Sequence, residues 1–383
     1  MIVLYASLVL VVGLWATLLS FSNRKVMEKL KKKAPLTVKP LVSIAIPARN
    51  EEHFIQACVS SLINQNYENI EILILDDNST DNTAEEVKKL QESDPRVRII
   101  KGKPLKKGWR GKLYAMQQLY EESTGDYILF TDADTVHNPN SVEYGLSVII
   151  NESASMVSGY PKQEGKHLWV QTLVSAMLFN TVLYMPLRLQ QKVQWTPFTM
   201  AIGQYLLLKR TVLEDIDGFT SIPDVICDDV MLARACTRTG HKYVFADMKD
   251  ALSCKMFSSF KGGFEGLERS ITGVIDIKAY MVPLVLAVAA VLIACAAAPL
   301  ATVAMFIQLL INPGLSPLPF VLTFVGSLLL FGSWTATGLY HGFPFKVAIQ
   351  GPIAFVFLVA MYLHGYYRKV SGKGFMWKGR YIS

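Results

Sequence analysis

The 383-residue chain is 51 % apolar and only 18 % charged, too greasy for an average soluble protein. Its formal charge is +7, but the basic residues gather beside apolar runs rather than among aromatics on a soluble face, which argues against a nucleic-acid partner. Cys58, Cys227, Cys236, Cys254 and Cys295 are scattered and form no C-x-x-C pair, which argues against a zinc framework or an oxidising compartment.

Residues 2–21 carry no charge and are long enough to cross a hydrocarbon core of about 30 Å. No basic residue precedes them, whereas Arg24, Lys25, Lys29, Lys31, Lys32 and Lys33 follow. That order predicts a signal anchor over 1–22 with its N-terminus outside, a basic linker over 23–39, and a cytosolic middle.

From Lys39 to Phe260 short strands alternate with helices. LVSIAIP (41–47), IEILILDD (70–77), VRII (97–100) and YILFT (127–131) read as strands, with helices from near Glu51, over 79–93 and over 112–123. This alternation predicts an α/β domain with a mainly parallel sheet and helices on both faces. Ligands of such sheets bind beyond the carboxyl ends of the strands. Three polar groups stand at those ends: PARNEE (47–52), Asp76-Asp77, and Asp132-Ala133-Asp134.

Residues 167–189 form a further apolar stretch broken by Gln171, Asn180, Pro186 and Arg188, read as an amphipathic segment in the membrane interface. From Tyr280 to Tyr367 the only charged side chain is Lys346. The apolar blocks 280–311, 318–340 and 348–367 predict a transmembrane region over 279–367. Three single crossings would leave the basic tail 368–383 on the wrong side for the positive-inside rule; the block 280–311, which holds Pro299, is alternatively a tight hairpin.

The chemistry is read from the acidic groups. In extended backbone Asp132 and Asp134 project to one side, and two hard carboxylates suit Mg²⁺ or Mn²⁺ completed by water and substrate phosphates; a solvated turn is the plainer reading. Asp76 and Asp77 are a strand end with a helix cap, or a pair that meets the N–H and hydroxyl donors of a nucleoside. GWRGKLYAM (108–116) places Arg110 and Lys112 at a helix start, where a diphosphate binds well. Asp228 and Asp229 open a helix, as dipole complements or with one as a general base.

In this order PARNEE, LDDNSTDNT (75–83), GWRGK (108–112), TDAD (131–134), GQYLLLKR (203–210) with DGF (217–219), and DDVMLARACTRTG (228–240) resemble the motifs of glycosyltransferase family 2. The resemblance covers about residues 40–270. It implies the GT-A fold, a divalent cation, and transfer of a sugar from a nucleotide donor, usually with inversion. It places Pro47, Arg49, Glu51, Asp76 and Asp77 around the nucleotide, Lys112 near the diphosphate, Asp132 at the donor and metal, Asp134 on the metal, and Asp229 as catalytic base. Asp228 stands where the family more often has Glu. The region after the base, GGFEGLERSITG (262–273), lacks the Q-x-x-R-W of processive polysaccharide synthases.

The anchor, the C-terminal apolar block and the final MWKGRYIS further resemble membrane-bound members that act on carotenoid acids or hopanoids. The expectation is a multi-pass membrane enzyme with a cytosolic GT-A domain over 40–278. It would move a hexose, UDP-glucose being the leading donor, to a lipid acceptor such as a carotenoid acid or another isoprenoid or glycerolipid. Trp377 and Arg380 are candidate acceptor or lipid contacts. Three rival readings fit less well: a transporter would need ionisable residues within the spans, a nucleotidyltransferase would want a Gly-rich loop near the first strand, and an inert nucleotide-sugar binder would not need Asp77, Asp134 and Asp229 together.

Overall fold

The computed structural model describes residues 1–31, 36–165, 167–275, 282–377 and 380–382. In chain order it runs α1 (Ile2–Leu30), β1 (Val42–Ala48), α2 (Ile55–Ile63), β2 (Ile70–Asp76), α3 (Thr83–Ser93), β3 (Val97–Lys101), α4 (Gly111–Glu122) and β4 (Tyr127–Phe130). There follow β5 (Thr135–His137), α5 (Ser141–Asn151), β6 (Met156–Gln163), α6 (Leu168–Tyr184), α7 (Leu187–Val193), β7 (Leu206–Lys209), α8 (Arg210–Asp215), α9 (Asp228–Arg238) and β8 (Tyr243–Cys254). The last part holds α10 (Phe260–Ile275), α11 (Val282–Ile311), α12 (Leu318–Tyr340), α13 (Phe345–Ala348), α14 (Gly351–Val370), β9 (Phe375–Trp377) and β10 (Arg380–Ile382).

Two compact units emerge. An α/β unit comprises Lys25–Glu164 and Leu187–Met256; a helical unit comprises Met1–Arg24, Gly165–Pro186 and Phe257–Ser383.

The α/β unit is built on one sheet of order β3-β2-β1-β4-β7-β6-β8-β5. β3, β2, β1 and β4 are parallel neighbours, as their near-continuous apolar runs require of strands covered on both faces. β7 then enters antiparallel between β4 and β6, so the sheet is mixed. Ile44, Ile46, Ile72 and Ile74 of the central strands are fully buried and pack with Ile55, Val59 and Leu62 of α2. The DGF stretch has a structural use: Gly218 caps α8 with φ +60° and donates to the Leu213 carbonyl at 2.7 Å. That turn sends Phe219 into the core, edge-on to Phe130 at 5.3 Å.

In the helical unit, α6 is not an amphipathic segment. From Val170 to Ala176 every side chain is buried, and Trp169 is the exposed residue of its first turn. Its apolar residues are spread round the whole circumference, so only burial on several sides hides them. Phe179 lies 4.4 Å from Trp334 of α12, which lies 5.6 Å from Phe355 of α14. Segment 165–186 therefore groups with the terminal helices rather than with the α/β unit, and so does α10, which the expected boundary at 278 had included. Residues 276–281 lie outside the described residues. The anchor helix does not stop at 22 but continues to Leu30.

Among the described residues three helices are long and apolar enough to cross a membrane: α1, α11 and α12. α11 is one helix through Pro299, not a hairpin. α14 carries Arg368 and Lys369 in its last turn and falls short of the others in hydropathy. α1 and α12 touch through glycine, as apolar helices do when small residues let their backbones approach. A Cβ at Gly13 would stand 2.4 Å from the Gly326 carbonyl oxygen, and one at Gly326 only 2.7 Å from the backbone nitrogen of Leu10.

A branched side chain at that crossing has no room. Gly326→Ile is expected to lower stability by about 1–3 kcal/mol, read as an earlier melting transition in detergent; an unchanged transition would mean that the helices do not meet there.

Candidate active site

Because β1, β2 and β4 are parallel neighbours, their carboxyl ends share one edge. Pro47 sits opposite Leu75 in the β1–β2 register, and the Asp77 N–H donates to the Ala48 carbonyl at 2.8 Å. Arg49 Nη1 donates to the Asp77 carbonyl at 2.6 Å and lies 3.8 Å from its Oδ2. Asp76 Oδ1 accepts from the Ser79 N–H at 3.1 Å, and the Glu51 N–H donates to Thr83 Oγ1 at 2.8 Å. Pro47, Arg49, Glu51, Asp76 and Asp77 thus form one polar group at the ends of β1 and β2.

After β4 the chain turns instead of staying extended. The Thr135 N–H donates to the Asp132 carbonyl at 3.2 Å across Ala133 and Asp134. The alternation expected to align the two carboxylates is absent because Thr135 must begin β5 alongside β8. The carboxylates still face common neighbours: after burial, Asp134 and Asp132 are the main causes that raise the Cys58 thiol, and both also raise Cys254.

A buried latch holds this turn. Thr131 Oγ1 donates to the Gln204 carbonyl at 2.8 Å, which uses its one hydrogen. His137 Nε2, 3.0 Å from the same oxygen, must then be the protonated nitrogen and the donor. Its Nδ1 faces Ser141 Oγ at 3.1 Å. Burial pushes the imidazole down to about 3, so it is neutral and serves packing, not proton transfer.

The charged centre lies beside the turn. Lys112 stands in the first turn of α4, whose start is fixed by the Arg110 N–H on the Pro223 carbonyl at 2.8 Å and by Arg110 Nε 3.0 Å from Asp224 Oδ1. Lys112 Nζ lies 2.8 Å from Asp132 Oδ1 and 3.1 Å from Asp228 Oδ2. Burial opposes its charge, but Asp132, Asp228 and Asp229 outweigh burial and hold the ammonium well above its usual range. Asp229, on the first turn of α9, is raised to about 7, by burial first and by Asp228 second, with Lys112 pulling the other way. A Cβ on Gly203 would stand 3.3 Å from Lys112 Nζ, 3.5 Å from Asp132 Oδ2 and 3.7 Å from Asp229 Oδ2. Gly203 therefore keeps open the space these three groups enclose.

Sequence reasoning missed Gly203 and Gln204 as site residues. Gln204 Nε2 donates to Asp132 Oδ2 at 3.1 Å. The signal was their place directly before an apolar strand, but its direction was not readable. β7 is antiparallel, with Leu206 opposite Phe130, so its beginning meets the end of β4. Trp377 and Arg380 face each other in the β9–β10 register, while their side chains, with Lys378 and Gly379, lie outside the described residues.

The donor set at the turn fits a hard cation. Burial and the nearby aspartates hold the Cys58 and Cys254 thiols protonated, which leaves the carboxylate oxygens of Asp132 and Asp134 as the donors. Among the described residues no three His, Cys, Asp or Glu side chains converge into a closed cage. Mg²⁺ and Mn²⁺ bind through one or two carboxylates and leave positions for water and phosphate, and the pair Asp132 and Asp134 offers such carboxylates.

A sheet with this edge, carrying an acidic turn and a helix-borne acid around a lysine, is of the GT-A type. The family model for glycosyl transferase family 2 matches residues 43–217. A mannosyltransferase from Pyrobaculum calidifontis, solved with GDP-Man and Mn²⁺, shares the fold at TM-score 0.55 and 18 % identity over 97 % of this chain and 100 % of that one. An Escherichia coli UDP-Glc:α-D-GlcNAc-diphosphoundecaprenol β-1,3-glucosyltransferase is 34 % identical over 31 % of this chain and 45 % of its own length. A probable glycosyltransferase of Bacillus subtilis is 27 % identical over 47 % of this chain and 43 % of its own. The chain thus spans less than half the length of these two relatives.

The raised Asp229 carboxyl has a consequence for stability. Between about pH 4, where an unfolded aspartate ionises, and about 7, the folded chain keeps a proton that the unfolded chain has released. Stability from this group is complete below that window and falls as pH rises through it. Asp229→Asn is expected to melt at a higher temperature than wild type at pH 8, with the gap closing towards pH 4. A gap that does not change with pH would show that its charge is not the penalty.

Proposed function

We propose that the protein is a membrane-anchored, inverting glycosyltransferase that moves one hexose from a nucleotide-diphosphate donor to a lipid acceptor. The observation that carries this reading is the space at Gly203, enclosed by Lys112 Nζ, Asp132 Oδ2 and Asp229 Oδ2 within a family 2 domain. One wall supplies charge for a leaving diphosphate and the other a carboxyl group poised near neutrality.

In the proposed reaction the Asp229 carboxylate takes the proton of the acceptor hydroxyl. That oxygen bonds to the anomeric carbon as the bond to the donor phosphate oxygen breaks on the opposite face, which inverts the centre. The nucleoside diphosphate departs with the electron pair, and the Lys112 ammonium stabilises its growing charge. Asp132 and Asp134 would hold the divalent cation, which when bound supplies further positive charge to the diphosphate. Arg49 and Asp77, joined at the β1–β2 edge, would hold the nucleoside. Gln204 fixes Asp132 while Lys112 draws on its other oxygen.

UDP-glucose is the leading donor and an isoprenoid lipid, a carotenoid acid included, the leading acceptor. Both choices are supported by the donor and polyprenyl-linked acceptor in the name of the Escherichia coli relative; GDP-mannose is the alternative, from the Pyrobaculum calidifontis structure. The domain would face the cytosol. With α1, α11 and α12 as the crossings, the basic stretch after α1 and the basic tail fall on one side, as the positive-inside rule asks. The odd count that conflicted with that rule disappears once α14 is not a span.

The test uses purified protein in detergent with Mn²⁺ or Mg²⁺, labelled nucleotide sugars and a lipid extract. Cation-dependent label in the organic phase is expected, abolished by Asp134→Ala. Asp229→Asn should lower transfer about 10²–10⁴-fold while donor binding persists. Label confined to a water-soluble product would overturn the lipid acceptor, and full transfer by Asp229→Asn would overturn the base.

A further inference from the structure

Gln204 is 9 % exposed, and its two amide atoms are in different situations. Nε2 donates to Asp132 Oδ2 at 3.1 Å. The orientation is forced, since the reverse would set an amide oxygen against a carboxylate. Oε1 is buried and accepts no hydrogen bond. A buried amide oxygen left open costs free energy unless something fills it. It belongs to the residue next to Gly203, whose missing side chain keeps the space between Lys112, Asp132 and Asp229 open. The latch from Thr131 Oγ1 to the Gln204 carbonyl, at 2.8 Å, fixes the backbone from which the amide projects. What completes Oε1 must bring a hydrogen-bond donor. Of the groups a nucleotide sugar would bring beside Asp132, the diphosphate only accepts, whereas the hydroxyls of the sugar donate.

We infer that Gln204 Oε1 accepts a hydrogen bond from one hydroxyl of the hexose being transferred, making Gln204 a specificity residue for the donor sugar. This rests on the reading of the site as a glycosyltransferase centre. The two ends of one amide then act together: Nε2 orients the carboxylate that serves the diphosphate, and Oε1 reads the sugar attached to it. A site built to bond a hydroxyl rejects the analogue that lacks it, because the protein group is left unpaired.

The experiment measures kcat/KM for wild type and Gln204→Leu with UDP-glucose and its 2-, 3-, 4- and 6-deoxy analogues, or the GDP-mannose series if that is the donor used. Wild type is expected to disfavour one deoxy donor by on the order of 10²-fold or more. The variant should lose that one discrimination and keep the others. Gln204→Met, unbranched and close in length, replaces the leucine variant if that does not fold, as judged by its melting transition. Loss of the Asp132 contact lowers every rate in the variant; a uniform loss that leaves the deoxy discrimination unchanged would overturn the inference and leave Gln204 as a positioning residue for Asp132 alone. A loss seen only in the acceptor's KM would also overturn it, moving the contact to the acceptor. No transfer by wild type from any nucleotide sugar sinks the reading of the whole site, and is thereby distinct from either result.

Discussion

Everything at the sheet edge is arranged around one partly buried ammonium. Lys112 gives up part of its water because Asp132 and Asp228 stand within 3.1 Å of it and Asp229 adds to their field. Such clusters are poor devices for stability, since each charge loses more on desolvation than a neutral packing of the same volume would. They are common where charge must be handled during a reaction. The cluster also explains its own surroundings. α4 starts at Gly111 and delivers the lysine, α9 starts at Asp228 and delivers the acids, and a Cβ at Gly203 would touch the groups of both.

The same constraint makes sense of the mixed sheet. A fully parallel sheet would bring only strand ends to this edge. The antiparallel β7 instead brings a strand beginning, so that Gly203 and Gln204 arrive next to Asp132. The neutral His137 ties the turn after β4 to the start of α5, and Thr131 ties it to the lead-in of β7. The acidic turn is therefore held from two directions by groups that carry no charge, which keeps the electrostatics of the site to Lys112 and the aspartates.

The helical unit follows a different logic. Its core is an aromatic contact among α6, α12 and α14, and α1 crosses α12 glycine on glycine. One charged group is enclosed within it. Glu268 of α10 is fully buried and receives His364 of α14 at 2.6 Å, with Arg368 3.9 Å from its other oxygen. Burial raises its carboxyl group above the usual range, and His364 opposes the shift. This pairing ties α10 to α14.

The strand–helix alternation, the three polar strand ends and the apolar termini were legible in the chain, because each rests on local periodicity and composition. Asp77, Lys112, Asp132, Asp134 and Asp229 could be singled out for the same reason: chemistry-bearing residues at the ends of readable elements. The turn over Ala133–Asp134 was not legible, since it depends on β5 pairing with a strand more than a hundred residues later. Nor was the burial of α6, whose evenly apolar circumference cannot show which helices will cover it. Gly203 and Gln204 opened a recognisable motif, but nothing in the chain gave them a place in the site. The sequence by itself determined which groups could carry charge and which segments had to leave water, because these are properties of side chains. Only the tertiary structure decided which of them meet, because strand direction and long-range pairing are settled by burying the whole sheet at once.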